Sequence, residues 1–114
     1  MTPDLVLIGT SLGGLAALEV LLSGLENNLS VPLVVVQHRT PGGINVLAEL
    51  LQKHTELVVK EAEDKEAICA GFVYVAPADY HLLIEKERFA LSLEAPVNYA
   101  RPSIDLLFES AAQT

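Results

Sequence analysis

The stretch Leu5-Val6-Leu7-Ile8-Gly9-Thr10-Ser11-Leu12-Gly13-Gly14-Leu15 constrains the fold more than any other part of the chain. Its first four residues are apolar and do not alternate with polar ones, as expected of a strand covered on both faces. Glycines on both sides of Ser11 then break the run. Leu15, Leu18, Leu22 and Leu25 follow at helical spacing, with Ala16 and Ala17 between them. A buried strand that turns sharply into a helix leaves backbone N–H groups unpaired at the helix start. Ser11 stands beside those groups. The turn suits a nucleophile next to an oxyanion site, and it equally suits a phosphate.

The same strand-then-helix rhythm recurs. Pro32 opens a second branched run, Leu33–Val36. Pro41-Gly42-Gly43 precede a stripe of Ile44, Leu47, Ala48 and Leu51. Leu57–Val59 and Phe72–Ala76 are two further short strands. Leu82–Glu85 and Phe89–Leu93 alternate across a charged Lys86-Glu87-Arg88 turn and predict a hairpin. Pro102, Ser103 and Asp105 open a last helical stripe of Ile104, Leu107, Phe108 and Ala111. This order predicts an α/β fold: a doubly wound, mainly parallel, Rossmann-like three-layer sheet with an inserted antiparallel hairpin. The last stripe reaches the final residues with neither cap nor stop. Residues 1–114 therefore read as one domain that lacks its C-terminal part.

Composition narrows the function. At 114 residues the chain can bury roughly two-thirds of its unfolded surface. Fifteen acidic against seven basic residues give a net charge of −8, which repels a nucleic-acid backbone. Aromatic residues are too few for a base-stacking surface. Glu61, Glu63, Asp64 and Glu66 form an acidic run interrupted by Lys65, the pattern of a solvated turn. Cys69 is alone, fits a reducing cytoplasm, and is expected to be a buried or half-buried filler. Residues 5–25 carry one charge, Glu19, but no basic residue precedes them, so a buried strand–turn–helix is favoured over a signal peptide or membrane insertion.

In a parallel sheet the carboxyl ends of the strands line the ligand crevice. Ser11 follows the first strand and His38 follows the second, so both are expected at one edge. Neighbouring strands lie about 4.8 Å apart, which allows the two side chains to meet. An imidazole with an ordinary pKa near ~6.5 can take the serine proton at neutral pH. The dinucleotide alternative lacks its second glycine, since Ser11 holds that place, and Gln37-His38 stand where a ribose-binding acid would end the second strand. No lysine follows the glycines, as a phosphate loop requires. His54 reads as a surface residue at a helix end. His81 falls in a turn, Ala76-Pro77-Ala78-Asp79-Tyr80-His81, and is either structural or part of the crevice. The three histidines lack zinc-ligand spacing, so no metal and no cofactor are expected.

Five blocks carry a more specific signal: Ile8–Leu15, Val36-Gln37-His38, Lys60–Asp64, Tyr74–His81 and Arg101–Phe108. In this order they resemble the catalytic domain of the bacterial chemotaxis protein-glutamate methylesterases (CheB type). The resemblance implies a cytoplasmic enzyme that hydrolyses glutamyl methyl esters on the cytoplasmic helices of chemoreceptors, with glutamine deamidation in some members. It implies Ser11 as nucleophile, His38 as general base, and an oxyanion turn at Leu12, Gly13 and Gly14. Asp79, His81 and Arg101 fall in matching blocks and are candidate crevice residues. The family often has threonine where Leu12 stands, so a backbone donor survives there and a hydroxyl does not.

Two departures qualify the resemblance. The family's triad aspartate lies in a later Gly-Met-Gly-x-Asp-Gly segment, which these 114 residues do not contain. Asp79 and Asp105 match other positions. Replacing a triad aspartate by an amide costs ~10⁴ in turnover in a serine protease, so weak or absent activity is expected of this stretch alone. Residues 1–4 also leave no room for the receiver domain of many members. A non-catalytic interaction domain that kept the fold is therefore the alternative to an esterase, and a nucleotide-binding domain is the third reading.

Overall fold

A computed structural model of the protein describes residues 5–10, 15–25, 31–37, 47–77, 81–85 and 87–92. They form β1 (Val6–Thr10), α1 (Leu15–Ser23), β2 (Leu33–Gln37), α2 (Leu47–Gln52), β3 (Val58–Glu61), β4 (Phe72–Val75), β5 (His81–Glu85) and β6 (Arg88–Ser92). The expected helix over 104–111 and the helix start at Pro41-Gly42-Gly43 lie outside the described residues.

β1 to β4 make one sheet in the order β1-β2-β4-β3, and every pair in it is parallel. β2 explains why the sheet is stable. Leu33 and Val35 point to one face, Val34 and Val36 to the other, and all four are buried. On the first face they meet Leu18 and Leu22 of α1, Leu47 and Leu51 of α2, and Val59, Val73 and Val75. On the second they meet Tyr74, Ala76, Leu82, Ile84 and Phe89. The uninterrupted valine run of β2 is the signature of a strand with two cores to serve. Among the described residues the helices cover one face and the β5–β6 hairpin covers the other. The hairpin was expected as an insertion, and it forms a separate two-stranded antiparallel sheet.

The six described residues of α2 are too few to hold a helix together by themselves. Gln52 ties its end to the edge strand: Nε2 donates to the Leu57 carbonyl at 2.7 Å, and Oε1 accepts the Val59 N–H at 2.9 Å. These bonds also satisfy groups that an edge strand would otherwise leave open. The strand expected at Leu57–Val59 in fact runs to Glu61, because Lys60 and Glu61 continue the ladder opposite Tyr74 and Val75.

The connection from β3 to β4 has no helix. It returns along the hairpin face and uses β6 for its hydrogen bonds. Lys65 N–H donates to the Phe89 carbonyl at 2.8 Å, Phe89 N–H to Glu66 at 2.9 Å, and Ile68 N–H to Glu87 at 3.0 Å. Leu91 N–H donates to the Asp64 carboxylate at 3.0 Å. Tyr74 closes this layer from beneath. Its ring stacks on Phe72 and meets Phe89 edge-on at 4.8 Å, while its hydroxyl donates to the Ala67 carbonyl and accepts the Cys69 N–H. Burial pushes the Tyr74 phenol above its ordinary pKa.

The acidic run is therefore not one solvated turn. Glu63 and Asp64 are exposed, but Glu61 ends β3 and Glu66 is largely covered. Glu66 binds the Lys60 ammonium through one oxygen and accepts the Glu63 N–H through the other. Lys60 also faces Glu63 at 3.6 Å. The hydrogen bond that Lys60 donates to Glu66 raises the Lys60 pKa above 10.5, against an opposing effect of burial. Cys69 is another correction. It is exposed, because Tyr74 takes the space beneath its loop and holds its backbone rather than its thiol.

Two outcomes follow from this packing. Leu22 is 1% exposed and its neighbour Leu21 is 41% exposed. Leu22→Ala should cost about 2–5 kcal/mol in urea unfolding and Leu21→Ala at most about 1 kcal/mol. Because Lys60 is raised in the folded state, its contribution is complete below its unfolded pKa and is lost as pH rises through the folded value. The urea midpoint should therefore fall above pH 10.5 more steeply in the wild type than in Glu66→Gln.

Candidate functional site

Chain direction decides what gathers at each end of the sheet. In a parallel sheet all carboxyl ends face one way, so the exits of β1, β2, β3 and β4 share one edge. Register shows that this edge is stepped. Ile8 is opposite Val35, and Val35 and Glu61 are opposite Val75. β1 and β2 then continue together for two more residues, to the pair Thr10 and Gln37. At a rise of about 3.3 Å per residue they overhang the end of the β4 ladder by roughly 7 Å. Ala76 N–H still donates to the Val35 carbonyl at 2.9 Å, which carries the chain after β4 up against this step.

The hairpin also reaches this edge. Residues 62–71 must run from the carboxyl edge back to the start of β4. β6 pairs antiparallel to them, with Asp64 meeting Leu91 high on the edge side and Ile68 meeting Glu87 below. β6 therefore climbs toward the carboxyl edge. Its last residue, Ser92, and the cross-strand partner His81 lie at that edge, and the turn at Glu87 points away from it.

Ser11 and His38 are the next residues after Thr10 and Gln37, which are register partners in adjacent strands. Ser11, Leu12, Gly13, Gly14, His38, Asp79 and Arg101 all lie outside the described residues. The structure thus gives the frame that leads into them: two adjacent exits at one level. His81 is described, and it is not in a turn. It is the first residue of β5 and is fully buried. Ladder pairing with Ser92 draws it into the strand, one residue earlier than the apolar alternation begins.

His54 is half-buried beyond α2. Its Nε2 lies 3.5 Å from the Glu19 carboxylate of α1, an interhelical contact that the sequence does not show. It stands with Leu22, Ser23, Leu25, Lys53, Thr55 and Glu56 around a shallow hollow. That hollow sits where α1 and α2 lead into β2 and β3, at the amino end of the sheet, away from Thr10 and Gln37. Glu61, expected in a solvated turn, instead ends β3 with its Oε2 buried and without a hydrogen-bond partner among the described residues. Nothing in its local sequence sets it apart from the exposed acids that follow. Among the described residues no cluster of histidine, cysteine or carboxylate side chains could hold a metal, and no helix is long and apolar enough to cross a membrane.

Comparison with known proteins agrees with this frame. Residues 6–114 match the family model described as CheB methylesterase. A Leptospira interrogans protein, provisionally named protein-glutamate methylesterase/protein-glutamine glutaminase, is 43% identical over 99% of this chain and 59% of its own length. The Thermotoga maritima protein-glutamate methylesterase/protein-glutamine glutaminase is 41% identical over 96% of this chain and 33% of its own. The crystal structure of the Thermotoga maritima CheB methylesterase catalytic domain superposes with a TM-score of 0.89 at 39% identity. That match covers 99% of this chain and 62% of the crystallised one. The chain thus spans between one-third and three-fifths of these relatives.

Proposed function

The chain belongs to the CheB methylesterase family, and from that premise we propose that it carries the serine and histidine of a glutamyl methyl ester hydrolase. One observation supports this above the others: Thr10 and Gln37 are paired across adjacent parallel strands. A residue that follows each of them starts from the same level, about 4.8 Å apart across the sheet. Those residues are Ser11 and His38.

In this reading His38 removes the Ser11 hydroxyl proton as Oγ attacks the ester carbonyl. Backbone N–H groups of the Leu12-Gly13-Gly14 turn receive the developing oxyanion, where removal of one such donor commonly costs 10²–10³ in rate. The proton then passes from His38 to the departing methoxide, and methanol leaves. Water, deprotonated by the same imidazole, cleaves the acyl-enzyme and frees a glutamate carboxylate. The substrate would be methylated cytoplasmic helices of chemoreceptors, and glutamine side chains would yield ammonia by the same steps. The net charge of −8 favours release, since the neutral ester becomes an anion on an acidic protein.

The third member of the triad would come from a carboxylate outside these 114 residues, which makes their own turnover slow. Two outcomes check the proposal by methanol release from methylated receptor. In a protein that includes the Gly-Met-Gly-x-Asp-Gly segment, Ser11→Ala and His38→Ala should each lower kcat by at least about 10³-fold. Retained turnover in Ser11→Ala would remove the nucleophile assignment. The 114-residue chain should release methanol far more slowly than that longer protein, and an equal rate would show that no further carboxylate is needed.

A further inference from the structure

Among the described residues β3 ends the sheet on one side, and side chains occupy its outer edge. Ala62 N–H donates to the Val75 carbonyl of β4 at 2.9 Å, which sets the alternation along the strand. Val58, Lys60 and Ala62 turn their backbone groups to β4, so Leu57 and Val59 turn theirs outward. Each outward group from the Leu57 N–H to the Val59 N–H has a side-chain partner. Thr55 Oγ1 accepts the Leu57 N–H at 3.1 Å. Gln52 Nε2 donates to the Leu57 carbonyl at 2.7 Å, and Gln52 Oε1 accepts the Val59 N–H at 2.9 Å. Nε2 also donates to the Thr55 carbonyl at 3.1 Å, which fixes the plane of the amide.

A carboxamide carries the donor and the acceptor of a peptide group. A strand laid beside β3 would need the Leu57 carbonyl and the Val59 N–H, whether it ran parallel or antiparallel. An N–H donates one proton, so Val59 cannot serve Gln52 and a neighbouring strand together. The Gln52 amide therefore stands in the place of a fifth strand.

The edge beneath that amide is complementary to itself. Val58 and Val59 are strong strand formers, and Val58 is 50% exposed. Glu56 precedes the apolar run Leu57–Val59 and Lys60 follows it. Two copies set antiparallel about a two-fold axis at Val58 would pair Leu57 of each with Val59 of the other. That pairing exchanges the outward-facing backbone groups. Val58 would then meet Val58 at the closer spacing, with Cα atoms about 4.5 Å apart. Glu56 of each copy would stand opposite Lys60 of the other, which also binds Glu66 of its own copy. Opposite charges so placed attract, and they do so twice across the axis.

We propose that the outer edge of β3 is a pairing surface for a second copy of this chain, which Gln52 holds closed. Loss of the amide frees the Leu57 carbonyl and the Val59 N–H together and opens the edge. This inference is independent of the esterase reading.

Disulfide cross-linking of the full chain tests it. Cys69→Ser removes the exposed native thiol. In that background Val58→Cys puts two thiols across the axis, within the Cα spacing that a disulfide accepts. Adding Gln52→Leu should then speed formation of the linked dimer at least tenfold. Val20→Cys, on the exposed face of α1, should cross-link at a rate that Gln52→Leu changes less than twofold. Should Gln52→Leu not fold, amide hydrogen exchange in the wild type decides. The Val59 N–H should be protected equally in dilute and in concentrated protein. No acceleration at Val58→Cys, equal acceleration at Val20→Cys, or a Val59 N–H whose protection rises with protein concentration would each overturn the proposal.

Discussion

The fold depends on the burial of β2 from both sides. Leu33, Val34, Val35 and Val36 are almost inaccessible to water, and they divide strictly between two cores. Full burial of one such side chain contributes about 1.5–3 kcal/mol, so four in a row dominate their neighbourhood. β1 is placed by its ladder with β2, and β4 by a second ladder on the other side. α1 and α2 meet the Leu33/Val35 row, and the hairpin meets the Val34/Val36 row. A strand hydrophobic on only one face could fix a single layer.

Around that strand the two ends of the sheet are built differently. The amino end carries a polar hollow and the Glu19–His54 contact. The carboxyl end carries the step between β1/β2 and β4, the buried His81 and the orphaned Glu61 oxygen. Buried polar groups are costly, and proteins keep them where geometry matters more than stability. Both lie at the end of the sheet that β1 and β2 leave after Thr10 and Gln37.

Much of this was legible in the sequence because strong local rules and burial pointed the same way. Unbroken branched runs gave β1, β2 and β4, and the charged tripeptide between two alternating segments gave the β5–β6 hairpin. The errors arose where a tertiary contact outweighed a local cue. β3 runs past Val59 because β4 offers Tyr74 and Val75 to pair with Lys60 and Glu61. Cys69 is on the surface because Tyr74 fills the space below it. His81 follows Pro77 and Asp79, both turn formers, yet pairing with Ser92 makes it a strand residue. Glu61 and Glu66 look alike in sequence, and only the return path of residues 62–68 separates them. At the site, the order of strands and turns identified one edge, but no local pattern could reveal its step, which is a property of register.

Register has an evolutionary consequence. A one-residue slip of β1 along β2 would exchange its two faces, so packing forbids it. A two-residue slip keeps every apolar side chain on its proper face, yet would carry the residue after Thr10 nearly 7 Å away from the residue after Gln37. Hydrophobic patterning alone is blind to that displacement. At the far end the ladder begins where Val6 N–H donates to the carbonyl of Pro32 at 3.0 Å, and Pro32 has no N–H with which to extend the pairing. A proline at the amino end of the sheet thus marks where the β1–β2 ladder starts, and the level at which the two strands leave the carboxyl end is counted from it.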